Sequence, residues 1–273
     1  MRGASRETYG GAKGKLDELA RGAEPDTLAT IGDELLSVAR LLTDEPRLRR
    51  ALADPARSGK DRAALVEGLL AGKVGEDTRG LAAALVNGRW SSTSELLDGV
   101  ELLGVNALLA GADRAGDLSE VEDELFRFGQ VIDGDPELAA VMGDVSVPAA
   151  HRATVVDALL DGKAKPTTVR LVKLALAGFG GRTFGGALTR LVELAADVRD
   201  RQVAYVTVAR MLSSEDEQRL GSRLAAMYGR DVSVKVIVDP SVLGGVRVLI
   251  GSDLYDGTTL RRLGDARQAV AGK

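Results

Sequence analysis

Cysteine is absent from this chain of 273 residues, and histidine occurs once, at His151. Without thiols there are no disulfides and no thiolate metal sites, and a single imidazole leaves little material for a zinc site or a Ser-His-Asp triad. Aromatic residues make up only 3% of the chain, so Leu, Val, Ile and Ala must fill the core, as they do between close-packed helices. No stretch approaches the roughly 20 apolar residues of a membrane helix. The opening MRGASRETYGGAKGK lacks the apolar run of a secretory signal. A net charge of −4 argues against a general nucleic-acid binder, whose affinity comes from clustered Lys and Arg. The expectation is a cytosolic protein without nucleic-acid partners or membrane insertion, long enough for one to three domains.

What the chain does contain is a copy of itself. Residues 33–73 and 123–163 pair at an offset of 90 without a gap, with 13 of 41 positions identical; roughly three would be expected by chance from such a composition. The identical pairs include Pro46/Pro136, Leu48/Leu138, Asp54/Asp144, Arg62/Arg152, Leu69/Leu159 and Gly72/Gly162. Pro46 and Pro136 suit the first turn of a helix, where the missing N–H costs nothing. Gly72 and Gly162 follow Leu-Leu pairs as helix-ending glycines, each beside a lysine. Between them, Ala63, Leu65, Val66, Leu69 and Leu70 recur at helical spacing, as do Val155, Val156, Leu159 and Leu160. Each copy therefore reads as a bundle of short amphipathic helices.

Carried outward, the register maps residues 12–20 by +90 onto 102–110, and residues 188–198 by about −90 onto the same segment, with a slip near the glycines at 180–186. One continuous helix over 93–111 is expected to close the first copy and open the second.

Past residue 200 the period changes from 3.6 to 2. In QVAYVTVAR, Val203, Tyr205 and Thr207 alternate with Ala204, Val206 and Val208, a strand with a buried face. Ser214 and Glu217 have capping-box spacing for a helix running to Tyr228 and closed by Gly229. Strands over 232–238 and 246–250, a short one at LYD, and a last helix with Leu260, Leu263 and Ala266, capped by Thr258 or Thr259, complete a β-α-β-β-(β)-α order. The expected class is α+β: two tandem all-α bundles, 1–97 and 98–199, followed by a small α/β domain, 200–273.

No stretch has the pattern of a nucleotide site. Gly244 and Gly245 lead into a strand rather than the helix N-terminus that a pyrophosphate requires, and no G-x-x-x-x-G-K-[ST] loop exists. His151 has no partners for catalysis. The acidic run from Glu120 through Glu122, Asp123 and Glu124 suits the first turns of a helix better than a metal. GFGGRTFGG, 178–186, reads as a turn, and Trp90 as a packing residue at the matching junction. No cofactor is expected.

The tail VDPSVLGGVRVLIGSDLYDGTTLRRL resembles the C-terminal signature of the ATP synthase delta (oligomycin-sensitivity-conferring protein) family. Asp239, Pro240, Gly244, Gly245, Ile250, Gly251, Asp256, Gly257 and Leu263 match it; Leu249 departs, standing where many members carry a basic residue. The resemblance runs from about residue 95 to the end. Residues 1 to about 95 look like an added, duplicated bundle of the kind found in actinobacterial relatives. It implies a non-catalytic stator subunit whose helical bundle binds the N-terminal helices of alpha subunits and whose small domain binds the C-terminal region of the b subunit. The signature residues Asp239, Pro240, Gly244, Gly245, Gly251, Asp256 and Gly257 would then be turn formers. Two rival functions remain: a free-standing helical adaptor using the same domains, and an enzyme with a carboxylate-based site.

Overall fold

The duplication is visible in where the helices begin and end. In the computed structural model, which describes residues 1, 3–199, 201–251 and 253–259, α3 (Pro46–Ala53) and α8 (Pro136–Gly143) match residue for residue at the offset of 90, as do α4 (Gly59–Leu70) and α9 (Ala149–Leu160). The pairs α2 (Pro25–Asp44) with α7 (Leu118–Asp133), and α5 (Glu76–Asn87) with α10 (Pro166–Leu176), follow within a few residues at their ends. The prolines sit in the first turns of α2, α3, α8 and α10. Gly72 and Gly162, with φ of 70° and 66°, take the left-handed conformation that ends α4 and α9.

The first repeat opens with α1 (Gly3–Ala20), and α6 (Thr93–Arg114) follows α5 as one unbroken helix of 22 residues. Its start is fixed by Ser92, whose hydroxyl accepts from the Glu95 amide at 3.1 Å. α6 packs on α1, α2, α3 and α5 of the first repeat and on α7 and α10 of the second. It thus belongs to both, as the two-way mapping required. Its closest partner is α2. A methyl on Gly32 would lie 2.6 Å from Cγ of Leu108, and one on Gly104 would lie 3.0 Å from Cγ of Leu36, so glycine is what allows the two backbones to approach. Trp90 packs at this junction: its Nε1 donates to the Leu85 carbonyl at 2.7 Å and its ring lies over Gly99.

One expected stripe is corrected. Leu65 is exposed, and the inward line of α4 is Arg62, Val66 and Leu70, the arginine taking a place that periodicity assigned to apolar side chains. A buried arginine stem supplies apolar surface while its head finds acceptors, so helical spacing holds although the residue type differs.

Contacts divide the chain into two compact units, Met1–Leu191 and Val192–Lys273, the division falling within α11 (Phe184–Val198). In the second unit, β1 (Arg201–Val208) pairs in parallel with β2 (Asp231–Val238) through the crossover helix α12 (Ser214–Tyr228), and antiparallel with β3 (Val246–Ile250). β3 pairs antiparallel with β4 (Asp253–Asp256), giving the order β2-β1-β3-β4. Ala204, Val206 and Val208 share a face with Val248 and Ile250, and Leu224 of α12 packs on it. Gly229 ends α12 at φ 67°. The helix cap is Ser213, not Ser214: its hydroxyl accepts from the Asp216 amide at 3.1 Å, the neighbouring serine having entered the first turn. The last expected helix, with Leu260, Leu263 and Ala266, lies outside the described residues. The chain is mostly helical with a small C-terminal mixed sheet, an α+β protein.

Candidate functional site

The signature glycines lie in turns beside the strands. The Asp239 amide donates to the Val208 carbonyl at 2.8 Å, and Oδ1 accepts from the Ser241 amide at 2.9 Å. Bonding to the Ser241 side chain and amide holds the Asp239 carboxyl below its ordinary range. Gly244 and Gly245 have φ of 83° and 81°, and a methyl on Gly245 would lie 2.4 Å from the Gly257 carbonyl oxygen. Across that contact the Gly257 amide donates to Val246 at 2.9 Å and the Thr259 amide to Gly244 at 3.0 Å. Asp256 accepts from the Thr258 amide at 3.0 Å, and Gly251 turns the chain at φ 59° between β3 and β4. Pro240 continues the turn that Asp239 starts. The amides of Gly244, Gly257 and Thr259 are thus committed to main-chain carbonyls.

Periodicity gave no role to a second set of residues, the polar anchors of the repeats. Arg62, 3% exposed, donates to the carbonyls of Asp54, Arg57, Val86, Asn87 and Gly88 at 2.6–3.2 Å, closing the C-terminal end of α5. Arg152 donates to Met142, Val147 and Leu176, the last two being Arg57 and Val86 shifted by 90. Glu34 accepts from the Gly75 amide and the Thr78 hydroxyl; Glu124 accepts from the Lys165 amide and the Thr168 hydroxyl. Each partner is again displaced by 90. Identity across the repeat was the signal that could have marked them.

His151 is exposed in the first turn of α9. In the acidic run, Glu124 is anchored as above, Glu120 pairs with Lys165 Nζ at 3.1 Å, and Glu122 is buried. Among the described residues no group of three or more His, Cys, Asp or Glu is placed to hold a metal. In GFGGRTFGG, Gly178, Gly180 and Gly181 are left-handed, and the Gly180 amide donates to Glu101 at 3.0 Å. Burial pushes the Glu101 carboxyl up, against the opposing effect of that amide. A cleft of about 770 Å³ lies between α12 and β2, with Gly221, Ala225, Val232 and Val234 in its lining and Glu217 and Asp231 beside them. None of these arrangements joins a nucleophile, a base and an oxyanion donor.

Residues 105–270 match the family model described as the ATP synthase delta (OSCP) subunit. The chain belongs to that family. It is 66% identical over 267 residues to an ATP synthase subunit delta from Salinispora arenicola, covering 98% of this chain and 97% of that one. It is 42% identical over 272 residues to the Streptomyces griseus subunit, covering both completely, and 38% identical over 275 residues to that of Acidothermus cellulolyticus, covering 99% of this chain. Members of the delta family are non-catalytic stator components of F-type ATP synthase, which removes the enzyme reading. The family match begins inside α6, whereas the delta relatives align across the first repeat as well. No helix of the described residues is long and apolar enough to cross a membrane.

Proposed function

We propose that this delta subunit ties the catalytic head of the synthase to its membrane-anchored stalk through three parts, 1–97, 98–199 and 200–273. The second helical repeat binds the N-terminal helices of alpha subunits, and the C-terminal part binds the C-terminal region of the b subunit, so that head and stalk are held together against rotor torque. The subunit works at the cytoplasmic face of the plasma membrane without entering it. The observation that carries this is the match to a delta subunit over 98% of the chain, with the Asp239–Gly257 signature folded into strand connections. Bundles of amphipathic helices accept a partner helix through i, i+3, i+4 anchors, the mode of contact the reading needs. The signature residues act as turn formers. The matches leave a free-standing adaptor as the weaker alternative.

Deleting residues 201–273 tests the division of labour. The truncated chain is expected to co-purify with alpha and beta subunits from gently solubilised membranes and to lose b. Retention of b would reverse the assignment, and recovery of the intact chain with none of these subunits would favour the adaptor.

A further inference from the structure

The chain has two asparagines, Asn87 and Asn106, and they stand in opposite surroundings. Asn106 is buried within α6 and precedes an alanine, and its amide donates to the Tyr9 hydroxyl at 2.8 Å and the Leu102 carbonyl at 2.7 Å. Asn87 is exposed at the last position of α5 and precedes Gly88. A glycine has no Cβ to obstruct attack by its own nitrogen on the side chain before it. The second repeat carries Ala177 at the matching place, with no amide to lose.

Arg62 sets the Asn87–Gly88 peptide apart from others on the surface. Its Nη2 donates to the Asn87 carbonyl at 3.2 Å and to the Gly88 carbonyl at 2.8 Å. A cation on a peptide oxygen draws charge from the attached N–H and stabilises the anion left when that proton departs. It also makes the carbonyl carbon the better electrophile. On the opposite side a methyl on Gly88 would lie 2.3 Å from Thr8, whose hydroxyl donates to the Arg89 carbonyl at 2.9 Å. The connection from α5 to α6 is thus held between Arg62 and α1.

We propose that Asn87 is a site of spontaneous deamidation and that Arg62 steers the product toward isoaspartate. The Gly88 nitrogen loses its proton to water and attacks Cγ of Asn87. That carbon expels its amide nitrogen, which takes a proton back and leaves as ammonia, closing a succinimide. Water then adds at the main-chain carbonyl that Arg62 polarises, and the ring opens there with the proton passing to the Gly88 nitrogen. Water is consumed and ammonia released in equal amounts, and nothing is oxidised or reduced. The chain now runs through Cβ and Cγ, and a carboxylate stands beside Arg62 where the Asn87 carbonyl was.

The test incubates the full natural chain at mildly alkaline pH, folded and in concentrated urea, and follows the peptides holding Asn87 and Asn106 by mass spectrometry. Isoaspartate is told from aspartate by chromatography against synthetic peptides. In the folded chain conversion should be confined to Asn87 and should quicken about 10-fold per pH unit, as loss of a weakly acidic N–H requires. It should proceed at no less than about one-tenth of the rate in urea, since the residue sits at a helix end that opens locally. The isoaspartate share should be higher folded than unfolded. Asn87→Gln, which would have to close a larger ring, should keep its amide over the same time. A folded rate below that tenth, or equal conversion at Asn106 in the folded chain, overturns the site. An isoaspartate share no higher than in urea overturns the steering by Arg62.

Discussion

The two helical repeats make the same fold from cores that differ in part. Leu52 faces its repeat where Met142 faces the other, Val38 where Phe128 does, and Leu42 where Ile132 does, all buried. The hydrogen-bonding side chains were not exchanged: Arg62/Arg152, Glu34/Glu124 and Thr78/Thr168 are identical and meet groups shifted by 90. Apolar volume can be redistributed among neighbours at modest cost, whereas a buried donor or acceptor without its partner carries a full desolvation penalty. These three anchors thus record the duplication where neighbouring core positions have drifted.

The largest expected effect tests this directly. Arg62→Ala leaves five carbonyls without their donor and should cost about 3–5 kcal/mol in urea unfolding, against about 2–3 kcal/mol for Arg152→Ala, which makes three such bonds. Equal losses would mean that the bond count does not set the difference between repeats. Glu34→Ala and Glu124→Ala remove the same pair of bonds and should each cost about 1–3 kcal/mol, alike within error. A clear gap between them would break the equivalence.

The opening helices give a prediction of opposite sign. Gly104→Ala on α6 presses a methyl toward Leu36 and the Gly32 carbonyl and should destabilise by about 1–3 kcal/mol. Gly11→Ala on α1, in open space, should stabilise by about 0.5–1 kcal/mol. Calorimetry on the two variants checks the pair, and a loss at Gly11 would show that α1 is packed.

The smallest effect belongs to Glu101. Burial raises its carboxyl in the folded chain, so the folded state binds the proton more tightly than the unfolded one. Its contribution to stability therefore falls as pH rises from the ordinary glutamate range through the folded value. Glu101→Gln, which keeps an acceptor for the Gly180 amide, should raise Tm at pH 7 by about 1–2 °C and lose the advantage near pH 4. A Tm gain that does not change with pH would assign the effect to something other than titration.

Much of this fold was legible because its signals are local. Pro46 and Pro136, Gly72 and Gly162, Gly229 and the β-branched run at 232–238 specify starts, stops and strands through backbone geometry alone. The repeat offset then located α6, which no local signal distinguishes from two shorter helices. Adjacent serines at 213 and 214 blurred the cap, since either could accept from a first-turn amide. Leu65 was misplaced because periodicity counts apolar residues and a buried arginine is not one. The contact of Gly32 with Leu108 depends on a pairing between distant segments, and nothing in either helix alone announces it. At the C-terminus, the glycines of the signature carried the family resemblance, but the crossing of Gly245 with Gly257 required the folded chain.

The shared helix also sets how such a chain can grow. The period of 90 residues spans five helices, α1–α5 and then α6–α10, while a complete bundle uses six, borrowing the next repeat's opening helix as its lid. An array of n repeats on this plan has 5n + 1 α-helices, and two repeats give the eleven α-helices that precede the first strand among the described residues. Copying therefore adds five helices at a time, each new segment joined to the last by a helix that neither can give up.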